Sequence, residues 1–282
     1  MAAQPIIIVG MHRSGTSLVS RTLQQCGIEL GADQEKNNES RFFLNINRWV
    51  LAQCGGRWDT PEPVAQLLTN PELSGLFVTS MQVMLESHRR KGYFGRSSES
   101  SFDALQRPWG WKDPRNSVTL PLWLGLFPKA RIINITRHGV DVAHSLYTRN
   151  TRIIDNHLPV TQRDIIRYVG RKKRIVKPRD GLSIRCSTLD GALGLWRSYM
   201  DFSASSLSNV ANALTLKYED FLASPKTFLE ELLDFCEISV PPAKVIEGLE
   251  TLNADRAFAF RLDDELLKFA QQHKDILSAH GY

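Results

Sequence analysis

The sequence predicts an α/β fold, a central parallel β-sheet with helices packed on both faces. Three observations carry that prediction. Short β-branched runs recur along the chain, at Ile6–Val9 and Arg131–Thr136, and such runs suit strands buried on both faces. Segments with apolar residues at helical spacing separate the strand-like runs, and strands alternating with helices imply parallel pairing. Between the first run and the first helical segment stands Gly10-Met11-His12-Arg13-Ser14-Gly15-Thr16-Ser17, a strand–loop–helix junction.

That junction has a chemical meaning. Gly10 and Gly15 bracket four residues, and Thr16, Ser17, Leu18, Val19 and Leu23 start a helix that Gly27 can close. The free N–H groups and the positive end of the helix dipole then point into one concavity, which is a cradle for an anion. The spacing is G-x-x-x-x-G, but Thr16-Ser17 follows where phosphate loops carry Lys-[Ser/Thr]. The fixed positive charge is Arg13, inside the loop.

The remaining elements follow in order. Residues 28–41 are polar and aperiodic, a loop. Phe42 to Cys54 reads as a helix ending at Gly55-Gly56. Phe77, Met81, Met84, Leu85 and His88 share one helical face, with Gly92 as the expected cap. Gly95–Ser101 is a serine-rich loop, and Trp109–Asp113 a strand end stopped by Pro114. Arg131–Thr136 is a strand and Val140–Arg149 a helix. Residues 150–185 are irregular and basic. Leu189–Leu207 reads as a helix, Ala213–Tyr218 as a strand and Pro225–Phe235 as an amphipathic helix. No repeat or linker divides the chain, so residues 1–282 are expected to form one domain, with a basic insertion or lid at about 150–185.

Composition narrows the function classes. Apolar residues make up 42% of 282, enough for a core, so the chain is not expected to be disordered. The net charge of +5 favours an anionic ligand or surface. Cys26, Cys54, Cys186 and Cys236 are scattered, without C-x-x-C, which argues against disulfides or zinc and for a reducing compartment. No segment reads as a membrane span, so a soluble, cytoplasmic protein is expected.

A second constellation lies in residues 131–149. Arg137 stands just past a strand, and Ser145 and Arg149 are i,i+4 neighbours if 139–149 is helical. Two guanidinium groups and a hydroxyl at the C-terminal end of a strand would make a second phosphate site. The cationic residues Arg163, Arg167, Arg171, Lys172, Lys173, Arg174, Lys177 and Arg179 read either as a solvated insertion or as a lid or acceptor contact. No nucleic-acid partner is expected, since no recognition module accompanies them.

With these motifs in order, the chain resembles the sulfotransferases that use 3′-phosphoadenosine 5′-phosphosulfate (PAPS), of the bacterial type and related to tyrosylprotein sulfotransferases. Gly10–Leu18 resembles their 5′-phosphosulfate loop, with His12 where a proline is usual. Arg137, Ser145 and Arg149 match their 3′-phosphate site in type and spacing. Trp111-Lys112-Asp113-Pro114-Arg115 resembles their K-D-P element. Leu216-Lys217-Tyr218-Glu219-Asp220-Phe221 with Ser224-Pro225 resembles the L-x-Y-E-D-L…P segment. The resemblance implies a single-domain P-loop-like fold and in-line, metal-independent sulfuryl transfer to a hydroxyl, leaving 3′-phosphoadenosine 5′-phosphate (PAP). It implies that His12, Arg13, Ser14, Gly15, Thr16 and Ser17 hold the phosphosulfate, with Arg13 also counted among the catalytic groups. Lys112 would meet the developing charge, Arg137, Ser145 and Arg149 the 3′-phosphate, and Tyr218 would lie near the nucleotide. No metal is expected, because a sulfuryl group in transfer carries less charge than a phosphoryl group.

The general base is not fixed by the resemblance. Relatives often carry a carboxylate in a Gly-aromatic-aromatic-Glu context, where this chain has Arg41-Phe42-Phe43-Leu44. Glu39 is the first candidate, Glu35 the second and His12 the third. The acceptor is not legible. Two rival readings remain, a P-loop kinase or NTPase, which would want Lys at position 16 and an acid for magnesium, and a non-catalytic nucleotide-binding protein.

Overall fold

The computed structural model describes residues 3–155, 181–239, 245 and 253–282. Its sheet has four strands, β1 (Ile6–Val9), β2 (Gly110–Lys112), β3 (Arg131–Thr136) and β4 (Ala213–Lys217), in the order β2-β1-β3-β4. Every pairing is parallel, with Ile7 of β1 beside Trp111 on one side and Ile132 on the other.

Strand β1 shows why a continuous apolar run was needed. Its side chains alternate between faces, and both faces are covered. Ile6 and Ile8 pack with Val19, Leu23, Phe221 and Phe228. Ile7 and Val9 pack on the other side with Phe43, Trp109, Trp111 and Trp123. Phe43 lies flat on Trp111, ring centroids 4.0 Å apart and planes 3° from parallel. A third apolar cluster joins Val140 and Leu146 to Trp196, Phe260 and Leu277.

Helix α1 (Thr16–Gln25) follows the glycine loop, and Gly27, at φ 90°, ends it as expected. Helix α2 (Arg41–Gln53) starts where the Asp33 Oδ2 accepts the Phe42 N–H at 2.7 Å. After a short α3 (Val64–Leu68), α4 (Pro71–Glu86) begins earlier than its apolar stripe suggested, because Asn70 caps the Leu73 N–H and Pro71 opens the turn. Gly92 does not cap it. The extended Ser87 ends α4, and Gly92 lies inside α5 (Lys91–Phe94), which turns the fully buried Tyr93 inward.

Helix α6 (Asn116–Leu126) was not predicted. It is buried nearly all round and contains Pro121, so it has neither a polar stripe nor uninterrupted helix formers to betray it. Helix α7 (Gly139–Asp155) runs six residues beyond the expected Arg149, and α8 (Leu189–Leu207) has the expected bounds, with Thr188 capping Gly191 N–H. Tyr218 is not the end of β4. It opens α9 (Tyr218–Ala223), followed by α10 (Pro225–Cys236), α11 (Asp264–Gln272) and α12 (Lys274–Ser278). The basic residues 163–179 lie outside the described residues. Among the described residues, no helix is long and apolar enough to cross a membrane.

The carboxyl ends of β1, β2, β3 and β4 are Val9, Lys112, Thr136 and Lys217. The glycine loop, Asp113-Pro114, Arg137 and Tyr218 all leave the sheet at that edge, where open parallel sheets form their ligand crevices.

Candidate functional site

The loop after β1 is held in a shape that few residues could adopt. Gly10, Arg13 and Gly15 have φ of 133°, 72° and 96°. A side chain on Gly10 would collide with the Ile135 carbonyl, and one on Gly15 with the Tyr218 ring. The Gly10 N–H donates to Ser117 Oγ at 2.9 Å, and Ser14 Oγ to the Met11 carbonyl at 2.7 Å. No side chain caps α1. Its first-turn N–H groups therefore face the cleft above the loop, at the positive end of the dipole.

That cleft has a volume of about 560 Å³. It brings together most of the predicted site: His12, Arg13, Gly15, Thr16 and Ser17 from the loop, Glu39, Lys112, Arg137, Arg149 and Tyr218 from elsewhere. Three predicted residues do not line it. Ser14 is buried in its turn, Ser145 sits behind and accepts from Arg13 Nε at 2.8 Å, and Glu35 faces a neighbouring cleft.

At the cleft floor Lys112 is 1% exposed, and its Nζ reaches Glu39 Oε1 at 3.0 Å and Ser17 Oγ at 3.3 Å. The polar stretch 28–41 delivers Glu39 to this position. Gln34 and Ser40 form an antiparallel bridge, Glu35 N–H donates to the Glu39 carbonyl, and Asn38 takes φ 61° in the turn between them. Ser17 Oγ donates to the Asn37 carbonyl at 2.8 Å and ties this hairpin to α1. Leu44 is 1% exposed, in the core rather than at the cleft.

Burial works on the pair from both sides. It raises the Glu39 pKa above the ordinary carboxylate value although Lys112 pulls it down, and it lowers that of Lys112 although Glu39 pulls it up. Arg115 extends the cluster, 3.7 Å from Glu39 Oε2 and 2.9 Å from Asp113. Asp113 is held by Asn47, which also binds Asn116, Thr119 and Trp123. Asn116 in turn donates to the Ile8 carbonyl. This fully connected network fixes β2's exit from the sheet. Sequence reasoning missed Asn47, Asn116 and Thr119. The one available signal was polar residues at apolar positions of helical stretches.

Arg137 donates to the Arg13 and Arg256 carbonyls at 3.2 and 2.9 Å and lies 4.6 Å from the Tyr218 ring centroid. Arg149 lies 4.8 Å from the Trp58 ring centroid. Asn253 and Arg256, also missed, line the same cleft. His12 packs edge-on against Trp58 and Tyr199, and burial, then Arg115 and Arg149, hold its pKa well below the usual value. It is neutral at neutral pH and a weak base.

The residues present fit an anionic nucleotide. Arg137 Nε, Arg149 Nε and Nη2, and His12 Nε2 are buried without a hydrogen-bond partner among the described residues. Buried donors of that kind are costly unless something meets them. The glycine cradle adds backbone donors to the same cleft.

The profile of the sulfotransferase family matches residues 5–242. Among solved structures, the sulfotransferase domain from the curacin biosynthetic pathway is 14% identical, over 97% of this chain and 99% of that one, with a TM-score of 0.48. A sulfotransferase from Alicyclobacillus acidocaldarius is 17% identical, over 99% and 96%, with a TM-score of 0.48. One from Mycobacterium avium is 16% identical, over 96% and 77%, with a TM-score of 0.46. No curated protein sequence matches. The family profile spans the glycine loop, Lys112, Arg137, Arg149 and Tyr218 alike, and on that match the chain belongs to the sulfotransferase family.

Proposed function

We propose that this protein moves a sulfuryl group from PAPS to a hydroxyl of an acceptor, with Glu39 as general base. The observation that carries the reading is the buried Lys112–Glu39 pair at the foot of α1, 3.0 Å apart, in a cleft that is also lined by Arg137 and Arg149, whose guanidinium nitrogens are in part unpartnered among the described residues. PAPS would supply an activated sulfuryl group on a phosphate leaving group. Arg13 and the first-turn N–H groups of α1 bind its 5′ end. Arg137 and Arg149, with Ser145 behind them, bind the 3′-phosphate. Lys112 holds positive charge where negative charge develops.

Glu39 takes the proton from the acceptor hydroxyl. Its raised pKa makes it a better base than an exposed carboxylate, and Lys112 stabilises its charged form. Glu35, on the rim and 4.0 Å from Arg41, is the lesser candidate. All four cysteines are free, which suits a reducing, cytoplasmic setting.

The test is thermal stability with PAP, 5′-AMP and ATP at equal concentration. PAP should raise the melting temperature most, because only it carries a 3′-phosphate for Arg137 and Arg149 as well as a 5′-phosphate for the glycine loop. A PAP shift no larger than that of AMP would remove the 3′-phosphate assignment. Turnover abolished by a metal chelator would favour the kinase reading.

A further inference from the structure

Glu219 follows Tyr218 in the first turn of α9. Tyr218 lines the cleft, but Glu219 is 3% exposed and points into the fold behind it. Among the described residues it forms no ion pair. A buried carboxylate without a counter-ion is costly unless donors meet its oxygens. Two donors do. Oε1 accepts the His138 N–H at 2.8 Å, and Oε2 accepts the Tyr282 O–H at 3.3 Å.

The first of these bonds bears on Arg137. The His138 N–H and the Arg137 carbonyl belong to one peptide unit. The carbonyl accepts from Trp196 Nε1 at 3.0 Å. That peptide is therefore held on both edges by buried side chains. It lies after β3 ends at Thr136 and before α7 begins at Gly139, so neither the sheet nor the helix sets its plane. Its plane sets the direction in which the Arg137 side chain leaves the backbone. Tyr218 and Glu219 thus act on Arg137 together, the ring on its guanidinium and the carboxylate on its backbone.

Tyr282 holds Glu219 in its turn. Its Oη lies 3.1 Å from Thr136 Oγ1, its ring stands edge-on to His138, and Lys217 Nζ sits 4.8 Å from the ring centroid. Lys217 also donates to the Gly281 carbonyl at 2.8 Å, which keeps Tyr282 in place.

Resting on the donor reading above, we propose that Glu219 is a positioning residue for the 3′-phosphate: it fixes the Arg137–His138 peptide and so aims the Arg137 guanidinium into the cleft.

Titration calorimetry with PAP and 5′-AMP on the full chain tests this. The two ligands share their 5′ end, so general loosening of the protein weakens both and leaves their affinity ratio alone. Misdirection of Arg137 lowers the ratio. Glu219→Ala should lower it by roughly tenfold. Glu219→Gln keeps an acceptor for the His138 N–H, so its ratio should stay within about threefold of wild type. Hydrogen exchange on the nucleotide-free protein gives a second readout. The His138 amide should exchange faster in Glu219→Ala than in wild type or Glu219→Gln.

A folded Glu219→Ala protein with the wild-type ratio overturns the proposal. Equal losses in the Ala and Gln variants also overturn it, because the acceptor atom is then irrelevant. Where Glu219→Ala does not fold, Tyr282→Phe decides. It frees one carboxylate oxygen, the ratio should fall, and an unchanged ratio overturns the proposal. A wild-type protein that binds PAP no better than AMP fails the 3′-phosphate assignment itself. The exchange experiment then still decides whether Glu219 holds the peptide, and an unchanged His138 rate overturns that.

Discussion

The two clefts that meet at Glu39 differ in how their positive charge is held. On the glycine-loop side, Arg137 is pinned by two backbone carbonyls and the Tyr218 ring, and Arg13 by Ser145. On the other side, Arg57 stands half in solvent, and the exposed Lys36 lines both clefts. Pinned charges need no reorganisation when a ligand of fixed shape arrives, so they serve binding and transition-state stabilisation. Loosely held charges capture ligands of varied shape, and salt screens them. The two clefts thus differ in how firmly their cations are held, with the proposed proton acceptor at their boundary.

Removing that boundary is the harshest way to break the comparison. Glu39→Gln keeps the shape and deletes the base, so turnover should fall by about 10²–10⁴ with PAP affinity retained in calorimetry. The buried Lys112 loses its counter-charge, so the melting temperature should fall as well. Glu35→Gln should leave turnover close to wild type. In the wild type, activity should rise with pH through a value above the ordinary carboxylate range, because burial raises the Glu39 pKa. Near-normal turnover in Glu39→Gln would move the base elsewhere, with His12 next despite its depressed pKa.

The donor side was far more legible in the sequence than the boundary. Ile6–Val9, the glycine loop and α1 are contiguous, and each residue's role follows from its immediate neighbours. Arg137 and Arg149 reach the cleft because a strand followed by a helix sets their spacing, whereas Ser145 binds Arg13 and does not line it. Glu39 could be placed near the cradle but not against Lys112, since the Gln34–Ser40 hairpin and the Ser17–Asn37 hydrogen bond depend on tertiary contact. Helix α6 was hidden by burial on all sides and by Pro121. The Asn47 network joins residues 66, 69, 72 and 76 positions apart, a separation that no periodicity records. Asn253 and Arg256 enter the cleft from a 3₁₀ turn far along the chain, with no motif around them.

A milder perturbation sharpens the contrast. Arg137→Ala removes one pinned cation and a charge-assisted contact worth about 1.5–3 kcal/mol. PAP should lose roughly one to two orders of magnitude in affinity and AMP much less. Arg57→Gln, in the neighbouring cleft, should leave PAP affinity as before. If both variants lost PAP affinity equally, the two clefts would be one site and the distinction would fall.

The smallest effect concerns acid. His138 follows Arg137 directly and stacks on Phe260 at 4.2 Å, with Tyr282 edge-on. Its Nδ1 accepts the Val140 N–H at 3.3 Å, as a neutral ring can. Burial, then Arg261 and Arg137, lower its pKa from 6.5 to about 4. Above pH 6.5 the ring is neutral folded and unfolded, so it contributes no pH dependence. Between 6.5 and about 4 the unfolded chain takes up a proton that the folded chain refuses, and stability falls as pH falls. Below about 4 both states are protonated and the loss levels off. Glu219, whose carboxylate accepts the His138 backbone N–H at 2.8 Å, has a pKa raised by burial and acts in the opposite direction. His138→Gln isolates the ring from that background. Melting temperatures measured from pH 7 to pH 4 should fall more steeply in the wild type than in the variant. The protonated ring adds positive charge beside Arg137, so PAP affinity should fall less on acidification in the wild type than in His138→Gln. Parallel curves for wild type and variant would place the acid sensitivity outside the donor side.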